Sequence, residues 1–334
     1  MEHYDVIVVG GSFAGLSAAM QLVRARRRVL LIDGGQPRNR WSPAVHGFLA
    51  LDGMAPAGIN AQALRQLQAY PTFAYAPGTA QSAIRDADGF VVQWMPGRPA
   101  GGDEDAERAS GPLPQAAEAL QVIGALQAVG VPQAVRAARL VLATGVKDTL
   151  PPIEGLAERW GRTVLHCPYC HGFEVSGGAL GVLAAFPQSV HQGLLLPDWG
   201  DTTYFTQGLH EPSAEEAAQL QARGARVERV PVVALLGGAP QLEAVRLADG
   251  RVLPLRAVFT APVTGMASPL AAQLGCAFEE GPTGPHIQVD AGYQTSVPGV
   301  FAAGDAATAR HNGTLASAAG VLAGVSAHAS MVMG

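Results

Sequence analysis

The chain has 334 residues, 48% of them hydrophobic and 15% charged, with a net charge of −5. That balance can bury one large core or two ordinary ones, the length favours two, and disorder throughout the chain is excluded. Lys and Arg (22) are outnumbered by Asp and Glu (27), and the only basic run, Arg24-Ala25-Arg26-Arg27-Arg28, is short, so nucleic acid is a poor partner.

Met1 is followed almost at once by Tyr4-Asp5-Val6-Ile7-Val8-Val9-Gly10. The start has no basic stretch, apolar helix or small-residue cleavage site of a signal peptide, so a cytoplasmic protein is expected. Three cysteines in a reducing compartment are no disulfide scaffold.

Residues 5–9 read as a strand that ends in Gly10-Gly11-Ser12-Phe13-Ala14-Gly15, and Leu16-Ser17-Ala18-Ala19-Met20 reads as a small-residue helix. Strand, tight turn and helix in that order seat a dinucleotide pyrophosphate. Gly10 permits the sharp turn, Gly15 lets the helix pack on the strand, and the helix start offers unpaired N–H groups. Ser12 stands where a middle glycine is usual. A second strand, Arg28-Val29-Leu30-Leu31-Ile32, ends at Asp33, at the distance expected of the acid that takes adenosine ribose hydroxyls. A glycine turn in an ordinary α/β protein would leave that acid unexplained.

Pro96 to Gln115 is rich in Gly, Pro and acidic residues and reads as an exposed loop between strands of a β-meander. Leu140-Val141-Leu142-Ala143-Thr144-Gly145 is an apolar strand closing on Ala-Thr-Gly. Pro151-Pro152 and Pro262 are plausible crossing points between domains.

His166-Cys167-Pro168-Tyr169-Cys170-His171-Gly172-Phe173-Glu174 holds a C-x-x-C pair. Two intervening residues let the thiols close a small ring near one helix start, where a lowered thiol pKa would raise the reactive thiolate fraction. His171 is placed to take or supply the proton that each exchange moves. Three rivals remain to be weighed. C-x-x-C-H is a haem-attachment signature, but attachment belongs to exported chains. Zinc needs two more ligands, and only His166 and His171 are near, so no metal is expected. A glutaredoxin pair should lead into a long helix, whereas Gly172, Gly177 and Gly178 follow here.

A nicotinamide cofactor would need a second glycine fingerprint. The candidate strand Ala179–Ala185 runs instead into Phe186-Pro187-Gln188-Ser189, where bulky Phe186 and the ring of Pro187 stand in the way of a pyrophosphate and Pro187 removes an N–H. Cys276, in Leu274-Gly275-Cys276-Ala277-Phe278, reads as a buried, inert thiol. Val300-Phe301-Ala302-Ala303-Gly304-Asp305 is an apolar strand closing on Gly-Asp. Residues 314–334 are long enough to span a membrane, but Ser317, Ser326, His328 and Ser330 interrupt them, and a helix packed closely inside a domain is expected.

Taken together, the glycine turn, the Ala-Thr-Gly strand end, the cysteine pair and the Gly-Asp turn resemble the FAD flavoproteins with two dinucleotide-binding domains, and the thioredoxin reductases in particular. The Cys-His-Gly version of the pair and Asp33-Gly34-Gly35-Gln36-Pro37-Arg38-Asn39-Arg40 resemble the gliotoxin-type dithiol oxidases and their bacterial relatives. The resemblance implies an α/β fold with two Rossmann-like domains. The FAD domain would be discontinuous (1–150 and 263–334), with the cysteine domain (151–262) inserted, in a homodimer.

It also implies FAD, not NAD, in the first site. The FAD-contacting residues would be Gly10, Ser12, Phe13, Ala14, Gly15, Asp33, Gly34, Arg38, Asn39, Arg40, His46, Gly47, Ala80, Ala143, Thr144, Gly145, Gly304, Asp305, Thr314 and Leu315. Thr314 and Leu315 stand where thioredoxin reductases place Arg-Gln-Ala against the flavin; a solvated loop is the simpler reading of His46. Cys170 would exchange electrons with FAD, Cys167 would meet the dithiol or disulfide substrate, and His171 would move protons.

After Thr202-Thr203-Tyr204-Phe205, thioredoxin reductases carry an arginine cluster for the NADPH 2′-phosphate, and Thr206-Gln207-Gly208-Leu209-His210-Glu211 has none. Losing two such contacts would weaken NADPH by about two orders of magnitude. The expected activity is therefore dithiol oxidation with O2. The alternatives are a thioredoxin reductase fed by ferredoxin, or by NADPH through a non-standard site, and a non-catalytic FAD-binding scaffold. A small-molecule dithiol and a thioredoxin-like protein both fit as substrate.

Overall fold

A computed structural model describes residues 1–97 and 131–333. Strand β1 (His3–Val9) passes through Gly10 into helix α1 (Phe13–Arg24), which returns as β2 (Val29–Asp33). The β1 side chains are buried on both faces, Val6 and Val8 in one core and Ile7 and Val9 in another, which is why the run is continuously apolar instead of alternating. Helix α2 (Pro56–Gln68), β3 (Phe73–Asp86), β4 (Gly89–Pro96) and β5 (Gln133–Leu142) follow.

Strand β3 changes partner along its length within one sheet. Its first residues pair parallel with β2, and from Gly78 onward it pairs antiparallel with β4, with a bulge between Ala80 and Ser82. The β3–β4–β5 meander is thus present. Pro96 closes β4, and the rest of the Gly/Pro-rich segment lies, from 98 on, outside the described residues.

Strand β6 (Val146–Thr149) leads into a second unit. There follow β7 (Val164–Leu165), α3 (Pro168–His171), β8 (Ala179–Leu183), α4 (Ser189–Leu195), β9 (Asp201–Phe205), α5 (Ala214–Ala222) and β10 (Arg226–Glu228). An antiparallel meander of β11 (Val232–Leu236), β12 (Ala244–Leu247) and β13 (Val252–Pro254) precedes β14 (Ala257–Phe259) and the exit strand β15 (Val263–Met266). The main sheet of this unit is parallel throughout, in the order β10-β9-β8-β14-β7.

The first unit resumes with α6 (Leu270–Gln273), the hairpin β16 (Phe278–Glu280) and β17 (Pro285–Ile287), β18 (Val300–Ala302) and α7 (Gly313–Val332). Its parallel strands run β3-β2-β1-β5-β18. Each unit therefore has its own nucleotide-binding-type sheet plus a meander, the Rossmann-type α/β architecture expected.

The units comprise Met1–Arg40, Pro56–Lys147 and Gly265–Gly334, and Trp41–Ala55 with Asp148–Thr264. The sequence left 41–55 inside the first segment. It groups with the second unit because Trp41 packs on Gly161 and His46 pairs with Glu174.

Helix α7 is long and apolar enough to cross a membrane by composition. Its buried residues, Ala319, Gly320, Ala323, Gly324 and Ala327, lie against α1. A Cβ on Gly320 would overlap the Ala14 carbonyl and one on Gly324 the Ala18 carbonyl, so the small residues set the helix spacing.

Candidate active site

The first cradle is built from strand ends. Gly10 has a φ of +105°, and a Cβ there would run into the Ala143 carbonyl; a Cβ on Gly15 would strike the Gly10 carbonyl. The turn is held by Gly10 N–H on Ile32 O (2.8 Å) and by Gly11 N–H donating to Asp33 Oδ1 (3.0 Å). Asp33 is thus tied to the glycine turn that it follows in space.

Ser12 is the N-cap of α1, in extended conformation, and its side chain makes no cap hydrogen bond, so the helix start faces the turn without a side-chain cap. Ala143 donates to Val9 O (2.8 Å) and Ala303 to Leu142 O (3.0 Å). These bonds align Ala143-Thr144-Gly145 and Gly304-Asp305 beside the turn.

On the outer side, Arg38 Nη1 meets Asp305 Oδ2 at 3.0 Å, joining two sequence motifs far apart in the chain. Asn39 Oδ1 is buried without a hydrogen-bond partner, and such an orphan acceptor suits a ligand hydroxyl or ring N–H. Arg40 donates to Pro37 O, and Gly34 is exposed next to the Thr79 hydroxyl. Ala80 is buried in β3 opposite Trp94. Thr314 and Leu315 open α7, where both amides bond to Asn312 Oδ1 (2.9 and 3.1 Å), a cap that the sequence reading missed. The glycine cradle, the uncapped helix start and the orphan Asn39 oxygen fit the diphosphate and sugar portions of FAD.

The second cluster lies around the cysteines. Cys167 and Cys170 form a disulfide with Cα atoms 5.3 Å apart. Cys167 is the extended N-cap of α3 and Pro168 fills its first position, where no N–H is needed. Helix α3 is four residues long. A single turn has little dipole to offer a thiolate, and the long helix of a glutaredoxin does not follow the pair.

Tyr169 is exposed, edge-on to Trp199 at 5.8 Å, and Phe173 is 81% exposed, so aromatic surface flanks the pair. His171 is half-buried, and burial is the main cause that lowers its pKa below the usual imidazole value. The carboxylate of Glu174 opposes that shift and His46 reinforces it. His46, expected near cofactor or substrate, stands with its ring 6.3 Å from that of His171, and its Nδ1 lies 3.5 Å from Glu174 Oε1 and 3.7 Å from Asp52 Oδ1. Gly47 donates to Asp52 Oδ1 (2.8 Å). Glu174 was part of the quoted motif without a role; its spacing of three from His171 was the available signal.

The turn after β8 is tied by its own side chains. Buried Ser189 accepts from the amides of Ala185 (3.1 Å) and Phe186 (3.2 Å) through Oγ, and His210 Nε2 lies 3.0 Å from Ala185 O. After β9, Gln207 adopts φ +55° and exchanges two hydrogen bonds with the Val232 backbone (2.7 and 3.3 Å). The third cysteine, Cys276, is buried, with its thiol 3.5 Å from Thr295 Oγ1.

A family model described as pyridine nucleotide-disulphide oxidoreductase matches residues 4–179. The chain is 30% identical to thioredoxin reductase tcpT of Claviceps purpurea (strain 20.1), over 90% of this chain and 86% of that protein. Among solved structures, an oxidoreductase from Agrobacterium tumefaciens is similar at TM-score 0.85 and 42% identity, covering 100% of this chain and 99% of the other. HlmI is similar at TM-score 0.80 and 33% identity, covering 98% and 92%. The chain belongs to the pyridine nucleotide-disulphide oxidoreductase family, as an FAD-dependent, thioredoxin reductase-like enzyme acting on sulfur groups.

Proposed function

We propose that the enzyme oxidises dithiols to disulfides through Cys167 and Cys170 and passes the electrons to O2 without NADPH. The observation that carries this reading is the sealed turn after β8, where Ser189 takes two amides that a pyrophosphate would need. Each unreplaced amide or charge contact weakens a nucleotide by about tenfold or more.

In the exchange, a substrate thiolate attacks Cys167 Sγ; a substrate–Cys167 bond forms, the Cys167–Cys170 bond breaks and Cys170 leaves as thiolate. The second substrate thiol then attacks the mixed disulfide and displaces Cys167. The dithiol has lost two electrons and two protons. His171, whose burial favours the neutral imidazole, accepts a proton as each attacking thiol ionises. Reversed, the same parts reduce a disulfide, the direction named for tcpT.

Gly10, Ser12, Phe13, Ala14, Gly15, Asp33, Gly34, Arg38, Asn39, Arg40, Ala80, Ala143, Thr144, Gly145, Gly304, Asp305, Thr314 and Leu315 would hold the FAD, which when bound would supply a two-electron carrier between the reduced cysteine pair and O2, the O2 taking up two electrons and two protons to give hydrogen peroxide. His46 and Gly47 belong in this reading to the proton-handling side. The exposed Tyr169 and Phe173 favour an apolar small-molecule dithiol. The homodimer, which rests on the sequence resemblance, and the cytoplasmic location are both part of the reading.

The test is Cys167→Ser and Cys170→Ser. Both variants should remain yellow and folded and lose dithiol turnover at least ~10³-fold; activity retained in both would refute the mechanism.

A further inference from the structure

Each exchange frees a proton, and a half-buried imidazole that receives it needs its charge balanced where it lands. The charged groups around His171 come from two segments. Its own loop supplies Glu174, and segment 41–55 supplies His46, its ring at 84° to that of His171, with Asp52 beside it on the solvent side. Arg256, just before β14, approaches the same loop but spends its guanidinium on the main-chain carbonyls of Ser176 (3.1 Å) and Glu174 (3.3 Å). Tyr169 leans on Trp199, and the two sulfurs are bonded to each other.

We propose that Glu174 and His46 are an opposed pair of positioning residues that govern how readily His171 takes a proton. The carboxylate favours imidazolium at His171, while the neighbouring imidazole disfavours it and moderates the carboxylate by pairing with it; Asp52 holds His46 from the outer side. This deepens the dithiol reading and rests on the role given there to His171. His46 stands between the two, its ring 6.3 Å from that of His171 and its Nδ1 3.5 Å from Glu174 Oε1, so a change in either residue is felt at the same ring.

The test titrates the His171 imidazole by NMR in the oxidised holoenzyme, in wild type, Glu174→Gln, Glu174→Asp and His46→Gln. Glu174 and Asp52 are exposed, so the carboxylate variants keep the fold, which retention of the flavin band verifies. Proton affinity at His171 should fall in Glu174→Gln, return close to wild type in Glu174→Asp and rise in His46→Gln, each by up to about threefold, the ceiling for a full charge about 6 Å away in a water-like medium. Movement in the same direction in both variants, or none in either, overturns the inference.

A parallel arm measures anaerobic reduction of the pair by dithiothreitol against pH, counted as newly alkylated thiols. Its acid limb should move with the imidazole. If the imidazole shifts appear and dithiothreitol leaves the wild-type pair oxidised at every pH, the electrostatic pairing stands and the dithiol reading falls.

Discussion

A thiol reacts through its thiolate, and that rule sorts the cysteines. Cys276 is buried, and burial pushes its thiol above the usual range, a shift the Thr295 contact only partly offsets. In reduced native protein, iodoacetamide should therefore label two thiols quickly and the third only after unfolding, as read by intact mass; three fast labels would contradict the assignment. His171 gives a pH prediction. Because burial lowers its pKa, its neutral, proton-accepting form persists below the ordinary value of about 6.5. Dithiol oxidation should then lose rate only as pH falls through the lowered value. His171→Gln should remove that limb and slow turnover by about 100-fold, measured as initial rates against pH.

At the level of elements, the tight approaches are the parts most open to test. The β1–α1 turn works because Gly10 and Gly15 leave room for neighbouring carbonyls, so Gly10→Val should yield colourless protein, scored by the ratio of flavin to protein absorbance. In the second unit, Ser189→Ala would leave two turn amides without their acceptor and should destabilise the protein by about 1–3 kcal/mol in urea unfolding. The glycine turn and the strand-end motifs were legible in the sequence because their geometry is set within a few neighbouring residues. The Phe186-Pro187 turn was legible as one without a glycine fingerprint, but the two amides that Ser189 takes there were not, since those bonds depend on where α4 begins. That no long helix follows the cysteines was legible from Gly172, Gly177 and Gly178, but that α3 stops after a single turn was not.

Over the whole molecule, one fold is built twice. The first unit keeps a pyrophosphate-ready turn and the second keeps the sheet with that turn occupied by its own side chains. The doubled architecture was readable from the order of motifs. The transfer of 41–55 to the second unit was not, because a contact such as His46 with Glu174 joins distant residues and leaves no periodicity behind. The central claim is that electrons enter from thiols and not from a nicotinamide. An anaerobic titration of the purified flavoprotein, with NADPH and then dithiothreitol, followed by admission of air and a peroxide assay, tests it most directly. The account predicts an unchanged flavin band with NADPH, bleaching with dithiothreitol, and recovery in air with formation of hydrogen peroxide. Prompt bleaching by NADPH, or a band that dithiothreitol leaves intact, would contradict it.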